Sequence, residues 1–404
     1  MKYIDREQLS SLKSVLGTPD IKIITGVRRS GKSTLLNLFE EYIATTIRDA
    51  AIIHIDFTKL EFESLREYHA LNQYIEARYQ PGKSNFLLID EVQMCPNFEY
   101  VINSLHSTHQ YDIYITGSNA FLLGSDLATL FTGRTYPIEV YPFSFKEYLS
   151  YYGQSQADDF TRYTMLDSYL TDGGFAGSYI YNDTFEKYRY LESVYDTMII
   201  RDIKDKYSLT SDTTLSCVGD FLMDNISRLT NANNIANVLT SAGTNANNKT
   251  ISNYLDYFCR AFAFHKVKRY DIEGKNYLRS QDKYYLCDHS LKFAKLGTKN
   301  VNYGSIYENI VAMELIRRGY EIYVGTMRNA EVDFVATRRD EKFYIQVSYD
   351  ISTEDTFTRE VAPLLNIRDA YPKFVIARTR QPEFTHQGIR VLDLADFLCL
   401  DKIV

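Results

Sequence analysis

Tryptophan is absent from the 404 residues, and histidine (7), proline (8) and cysteine (5) are scarce. The five cysteines, Cys95, Cys217, Cys259, Cys287 and Cys399, stand far apart with no CxxC pair. That argues against a disulfide framework and against a zinc ribbon. No run of about 18 uncharged apolar residues occurs, so no segment is expected to span a bilayer. The first residues, MKYIDREQL, place Asp5, Arg6 and Glu7 where a secretory signal needs its apolar stretch. The expected compartment is therefore the reducing cytoplasm. A surplus of positive charge is missing too. Against 45 Lys+Arg stand 52 Asp+Glu, a net −7, which argues against a surface coated with positive charge but leaves room for a local basic face.

What is present reads as ordinary globular protein, 45% hydrophobic and 24% charged. The length suggests two or three domains with cores large enough to need no metal or disulfide staple. Tyrosine is abundant at 34, a composition bias without functional content.

Three blocks follow one another. In residues 1–150, the β-rich runs IKIITG (21–26), AIIHIDF (51–57), FLLID (86–90) and DIYITGS (112–118) alternate with more polar helical stretches. Crossover connections and a mainly parallel sheet are expected. Residues 151–290 are mostly helical, with apolar residues at helical spacing over 219–229, 233–239 and 249–262. The Asn-rich loop 240–249 between the last two predicts a helix–turn–helix, and the run 264–272 with the following GKNYLRS is read as a wing. Residues 300–404 open with a helix (307–319) and continue with β-like runs at 321–327, 331–338, 342–350, 373–378 and 389–394, a second α/β domain.

The strongest signal is a phosphate loop. Gly26-Val27-Arg28-Arg29-Ser30-Gly31-Lys32-Ser33, followed by Thr34, fits GxxxxGK[ST] at each fixed position and lies between a strand and a helix. The glycines let successive backbone N–H groups turn toward phosphates. Lys32 is expected on the β- and γ-phosphates, the Ser33 hydroxyl on Mg²⁺, and the helix dipole favours the same anion. ATP and Mg²⁺ are the expected ligands.

A phosphate loop needs an acid at the end of a neighbouring strand. Phe86-Leu87-Leu88-Ile89-Asp90-Glu91 supplies two. Asp90 is expected to hold Mg²⁺ and Glu91 to act as general base toward water; the competing reading is that they cap a helix near Pro96. In Thr116-Gly117-Ser118-Asn119, Asn119 is favoured over Ser118 to orient water or the γ-phosphate, with a plain turn as the alternative. Arg134 is a candidate to neutralise transition-state charge, on a neighbouring subunit or here; a surface salt bridge is the equal alternative.

GVRRSGKST, LLIDEVQ, ITGSNA, GRTYPIEVYPFSFKEYL, the Asp172–Phe175 segment DGGF and YENIVAMELIRRGY together resemble a bacterial and archaeal family of AAA-type ATPases with a C-terminal domain of unknown function. The resemblance covers most of the chain. It implies an α/β fold class: an N-terminal P-loop NTPase domain with an AAA-type parallel sheet, a helical and winged-helix middle, and a C-terminal restriction-endonuclease-like α/β domain.

The last of these meets its own chemistry poorly. A PD-(D/E)XK core needs a strand acid, then acid-x-Lys on the next strand, often with a Glu on the first helix. Glu308 fits the helix acid and Asp333 the strand acid, but the third strand reads Gln346-Val347-Ser348. Glu331 and Lys342 lie near without the right spacing. A degenerate fold kept for binding or assembly is expected, not a working nuclease. In the helix–turn–helix, Lys249, Ser252, Asn253 and Asp256 share one side, and Lys266, Lys268 and Arg269 in the wing can meet phosphates; packing without DNA is the competing reading.

The expected function is a Mg²⁺-dependent ATPase whose cycle moves the C-terminal blocks. The alternatives are a nucleic-acid-binding ATPase for DNA processing or defence, and an ATP-bound switch or scaffold with little turnover. Nucleic acid, a protein partner or a homo-oligomer are candidate partners, and a membrane is not.

Overall fold

In the computed structural model, which describes residues 4–117, 131, 133–209, 212–244, 246–299, 301–328 and 330–404, six consecutive buried residues make the strand β1 (Ile21–Gly26). Its neighbours are β2 (Ala50–Asp56), β3 (Ser84–Asp90), β4 (Tyr111–Thr116) and β5 (Thr135–Val140), in the order β2-β3-β4-β1-β5. Every neighbouring pair is parallel. Parallel strands covered on both faces read as continuous apolar runs, which is why IKIITG and FLLID carry no polar alternation.

The period of two decides which core each side chain enters. Ile24, Phe86, Leu88 and Tyr114 pack with Leu9 and Leu12 of α1 (Glu7–Ser14) and with Leu35, Phe39 and Ile43 of α2 (Lys32–Thr46). Ile23, Leu87, Ile89, Ile113 and Ile115 face the other way. They meet Leu71 and Ile75 of α3 (Tyr68–Glu76) and Val101, Ile102 and Leu105 of α4 (Phe98–Ser107). Each such side chain contributes roughly 1.5–3 kcal/mol on burial, so these two cores hold the sheet. The N-terminal region is thus a mixed α/β P-loop fold on a parallel five-stranded sheet. The carboxyl ends of β1, β3 and β4 lie at one edge, where open parallel sheets bind ligands.

By packing, the chain divides into two units. One holds Met1–Pro142, Ile200–Tyr207 and Arg260–Phe262; the other holds Phe143–Ile199, Ser208–Cys259 and Ala263–Val404. The second begins with a helix, Phe145–Tyr151, closed by a capping box between Ser144 and Glu147. Further on, helices Ala232–Ser241 and Asn248–Arg260 flank the Asn-rich loop. Next come β6 (Phe264–Asp271), β7 (Asn276–Leu286), β8 (Glu321–Met327), β9 (Ala330–Arg338), β10 (Glu341–Ser348), β11 (Lys373–Ala377), β12 (Phe384–His386) and β13 (Ile389–Asp393). They form one mixed sheet, β12-β13-β11-β10-β9-β8-β6-β7.

The two strands read as a wing are therefore an edge of the C-terminal sheet. They pair antiparallel with each other, and β6 runs parallel to β8 through Arg269↔Val324 to Asp271↔Thr326. Strand edges leave unpaired N–H and C=O groups, and joining β8 satisfies them over that stretch. Among the described residues no helix is long and apolar enough to cross a membrane.

Candidate functional site

β1 ends in a backbone that only glycine fits. A Cβ on Gly26 would lie 2.1 Å from the Val140 carbonyl oxygen, and its φ is +139°. The chain then curls through Val27, Arg28, Arg29 and Ser30 to Gly31, which caps α2 with φ +98° and no side-chain hydrogen bond. With no side-chain cap, the first-turn N–H donors of α2 are available to an anion. The Ser30 hydroxyl is buried without a partner, a polar atom that a bound phosphate would satisfy. The loop thus has the form and the unsatisfied donor that ATP's phosphates require.

Arg6 holds this loop from beneath. Its guanidinium donates to the Ser30 carbonyl at 3.0 Å and to the Tyr141 carbonyl at 2.8 Å, and the side chain is buried. Lys32, also buried, donates to the carbonyls of Gly26 (3.0 Å) and Val27 (3.2 Å). Burial pushes its pKa below the usual lysine value, while the Glu91, Asp202 and Asp90 carboxylates oppose that shift. Ser33 is exposed and Thr34 half-buried in the first turn of the same helix.

The acids stand across from the loop. Asp90 is buried at the end of β3 and accepts the Thr116 hydroxyl. The same Thr116 oxygen accepts the Glu91 N–H at 3.1 Å. Glu91, half-buried, has a left-handed backbone at φ 55° and takes a 2.5 Å hydrogen bond from Gln93. Thr116 carries no motif of its own, yet parallel pairing of Ile89 with Ile115 puts the next residues, Asp90 and Thr116, side by side. Asn119 and Ser118 lie outside the described residues. Arg134 is exposed just before β5, and its carbonyl accepts the N–H of Ile21, the first residue of β1. That is the amino end of the strand, about 16 Å from Gly26 at 3.3 Å per residue. The structure does not bring Arg134 to its own phosphate loop.

Two residues at the site had no local signal. Arg6 is one. Asp202, in a π-helical turn (Met198–Asp205), is the other; it is buried with Oδ1 3.6 Å from an Arg28 nitrogen.

In the second unit, Glu308 and Asp333 do come together, but around a lysine. Lys283 of β7 places Nζ 2.9 Å from Glu308, 2.8 Å from Glu331 and 3.7 Å from Asp333. The Tyr285 hydroxyl donates to Glu308 at 2.7 Å, and Asp333 accepts the Val347 N–H at 2.8 Å. Gln346 turns its amide nitrogen to Glu360 at 3.1 Å. Burial opposes the Lys283 charge, yet Glu308, Asp333 and Glu331 raise its pKa above the usual value. Burial and then Glu308 push Asp333 up to about 8. Among the described residues no three His, Cys, Asp or Glu side chains are grouped to hold a metal. Lys342 lies elsewhere, over the rings of Tyr270, Tyr344 and Tyr371.

The helix Asn248–Arg260 leaves Lys249, Ser252, Asn253 and Asp256 exposed, while Ile251, Tyr254, Leu255 and Phe258 are buried. Lys266 pairs with Asp282 at 2.8 Å, Lys268 is exposed, and Arg269 donates to Thr326 at 3.2 Å.

Comparison with known proteins agrees with the N-terminal geometry. Residues 18–149 match the AAA domain, and 163–302 and 303–397 match two domains of unknown function (DUF8612 and DUF4143). An uncharacterized protein of Haemophilus influenzae is 37% identical over 400 residues, 98% of each chain. Uncharacterized protein MJ1544 of Methanocaldococcus jannaschii is 26% identical over 359 residues, 84% of this chain and 77% of its own. AMPPCP-bound DnaA from Aquifex aeolicus superposes with TM-score 0.31 and 14% identity over 63% of this chain and 88% of that one, too loosely to bear on activity.

Proposed function

Since the chain belongs to the family of AAA-domain proteins that includes this Haemophilus influenzae relative, we propose that it is a Mg²⁺-dependent ATPase that hydrolyses ATP to ADP and phosphate. The observation that carries the reading is the phosphate loop itself: a glycine cradle, an uncapped helix start, and a buried lysine facing two strand-end acids. The backbone from Gly26 to Thr34 and the Lys32 ammonium bind the phosphates. Ser33 and Asp90 hold Mg²⁺, which supplies neutralisation of phosphate charge when bound. Glu91 orients water and takes its proton, held for that by Gln93 and by the Thr116 contact to its backbone. Asn119 is assigned to the same water or the γ-phosphate. Arg134, at the far edge of its own sheet, is assigned to a neighbouring copy's site in a homo-oligomer. The cycle drives conformational change in the C-terminal unit. Cleavage of nucleic acid is not part of the proposal, because Lys283 fills the centre of the carboxylate cluster.

The test is steady-state ATP hydrolysis with Mg²⁺, with Glu91→Gln as background. Wild-type turnover with an inactive, ATP-binding Glu91→Gln is the expected result. Normal turnover by Glu91→Gln would remove the general-base assignment, and no turnover by the wild type would leave the ATP-bound switch in its place. One observation favours a second reading, a nucleic-acid-binding ATPase: the exposed polar face of Lys249, Ser252, Asn253 and Asp256. Stimulation of hydrolysis by single- or double-stranded DNA, lost as salt rises, supports it. Absence of any DNA or RNA affinity at low ionic strength rules it out.

A further inference from the structure

Beside the phosphate loop stands a buried carboxylate for which phosphate binding has no use. Asp202 belongs to the turn Met198–Asp205, whose π-helical winding is uncommon and recurs at functional sites. It is 6% exposed, and its Oδ1 lies 3.6 Å from the Arg28 guanidinium. Its charge also acts on the Lys32 ammonium, alongside those of Glu91 and Asp90. A buried carboxylate needs compensation, and the guanidinium 3.6 Å from Asp202 belongs to the phosphate loop itself. The segment is unusual in a second way. Ile200–Tyr207 packs with the nucleotide unit, while the residues on both sides of it belong to the other unit.

We infer that Asp202 is a resident anion that competes with the nucleotide's phosphates for Arg28, so that phosphate binding loosens the segment 200–207. The inference rests on the ATP-binding reading and deepens it. A nucleoside triphosphate brings several negative charges to a place where one is already balanced. Like charges brought close in a buried site repel strongly. Either the phosphates or Asp202 must give up Arg28, and Asp202 sits on a segment flanked on both sides by the other unit. The occupancy of the site is thereby converted into the position of a segment whose two flanks lie in the C-terminal unit.

The experiment uses the full chain, with ATP affinity by equilibrium titration and hydrogen exchange of residues 198–207 with and without Mg²⁺-ATP. In the wild type, ATP should increase exchange in this segment. Asp202→Asn should bind ATP about 5-fold more tightly or better, exchange fast before ATP is added, and respond little to it; Asp202→Glu should restore wild-type behaviour. Unchanged or weaker affinity in Asp202→Asn overturns the inference, and so does tighter binding without any wild-type exchange response. If Asp202→Asn does not fold, Arg28→Gln is measured without nucleotide: faster exchange over 198–207 supports the pairing and unchanged exchange overturns it. Lys32→Ala separates the two layers. Its failure to lose ATP would sink the nucleotide reading, whereas loss of ATP by Lys32→Ala with wild-type behaviour in Asp202→Asn sinks only the role of Asp202.

Discussion

Two buried lysines, Lys32 and Lys283, each face several carboxylates, and their surroundings send them in opposite directions. Among the described residues Lys32 hydrogen-bonds only backbone carbonyls, no carboxylate pairs with it, and burial lowers its pKa. It is short of counter-charge, and an anion improves its position. Lys283 has Glu308 and Glu331 within 2.9 Å and Asp333 at 3.7 Å, and its pKa is raised. It has more counter-charge than it needs and nothing to gain from a phosphate. The same residue type makes a receptor in one unit and a lock in the other, decided by how many carboxylates reach the ammonium.

The sharpest way to break this contrast is Lys283→Met. Removing the ammonium leaves Glu308, Glu331 and Asp333 facing one another, and the cost should be about 3–5 kcal/mol of stability, read by denaturant unfolding. A loss under 1 kcal/mol would mean that water already screens the cluster. Lys32→Ala should cost ATP about 2–5 kcal/mol of binding free energy, read by titration, yet leave the fold's stability nearly intact, since no partner carboxylate is stranded. Thr116→Val should weaken Mg²⁺ affinity about 10-fold, because Asp90 loses the hydroxyl that orients it; a magnesium titration of turnover, with its midpoint moved to higher Mg²⁺, measures it.

The lock should also respond to pH. Asp333 has its folded pKa pushed up to about 8 from an ordinary 3.8. Between those values the folded state keeps a proton that the unfolded chain releases, so this group's contribution is complete below about pH 4 and is lost as pH rises toward 8. Asp333→Asn should flatten that fall in stability between pH 5 and 8, measured by urea midpoints; an unchanged slope would place the titration elsewhere. The smallest effect is expected for Arg134→Ala, which should leave ATP affinity unchanged within about 2-fold. A lower turnover there, restored by mixing with a chain inactive through Glu91→Gln, would place Arg134 at a neighbour's site.

Local pattern carried the strand, loop and helix of the candidate site. A strand, a glycine loop and a helix contiguous in sequence (21–46) appear contiguous in space. Asp90 and Glu91 were readable because an apolar strand must end where its side chains turn polar. Arg6 reaches the loop from 24 positions away and the Tyr141 carbonyl from 135 away, and no periodicity announces such a contact. Thr116 was within reach, since parallel register alone sets it beside Asp90. Lys283 was hidden for a different reason: it lies just beyond the run 274–280 read as a wing, and its acids sit far along the chain on β9 and on the helix Tyr303–Arg317. The β6–β7 pair could not be placed from sequence because a two-stranded ribbon and a sheet edge have the same alternation.

Arg6 has a kinetic consequence. With Ser30 and Tyr141 tied to one guanidinium, the loop holds its curvature before any ligand arrives, so little chain ordering remains for the encounter itself. Nucleotide capture should then be fast and nearly independent of solvent viscosity beyond simple diffusion. Differences in affinity among nucleotides should appear in how long each stays and not in how quickly each arrives. Arg6→Ala should invert that pattern, slowing arrival while the departure rate changes less.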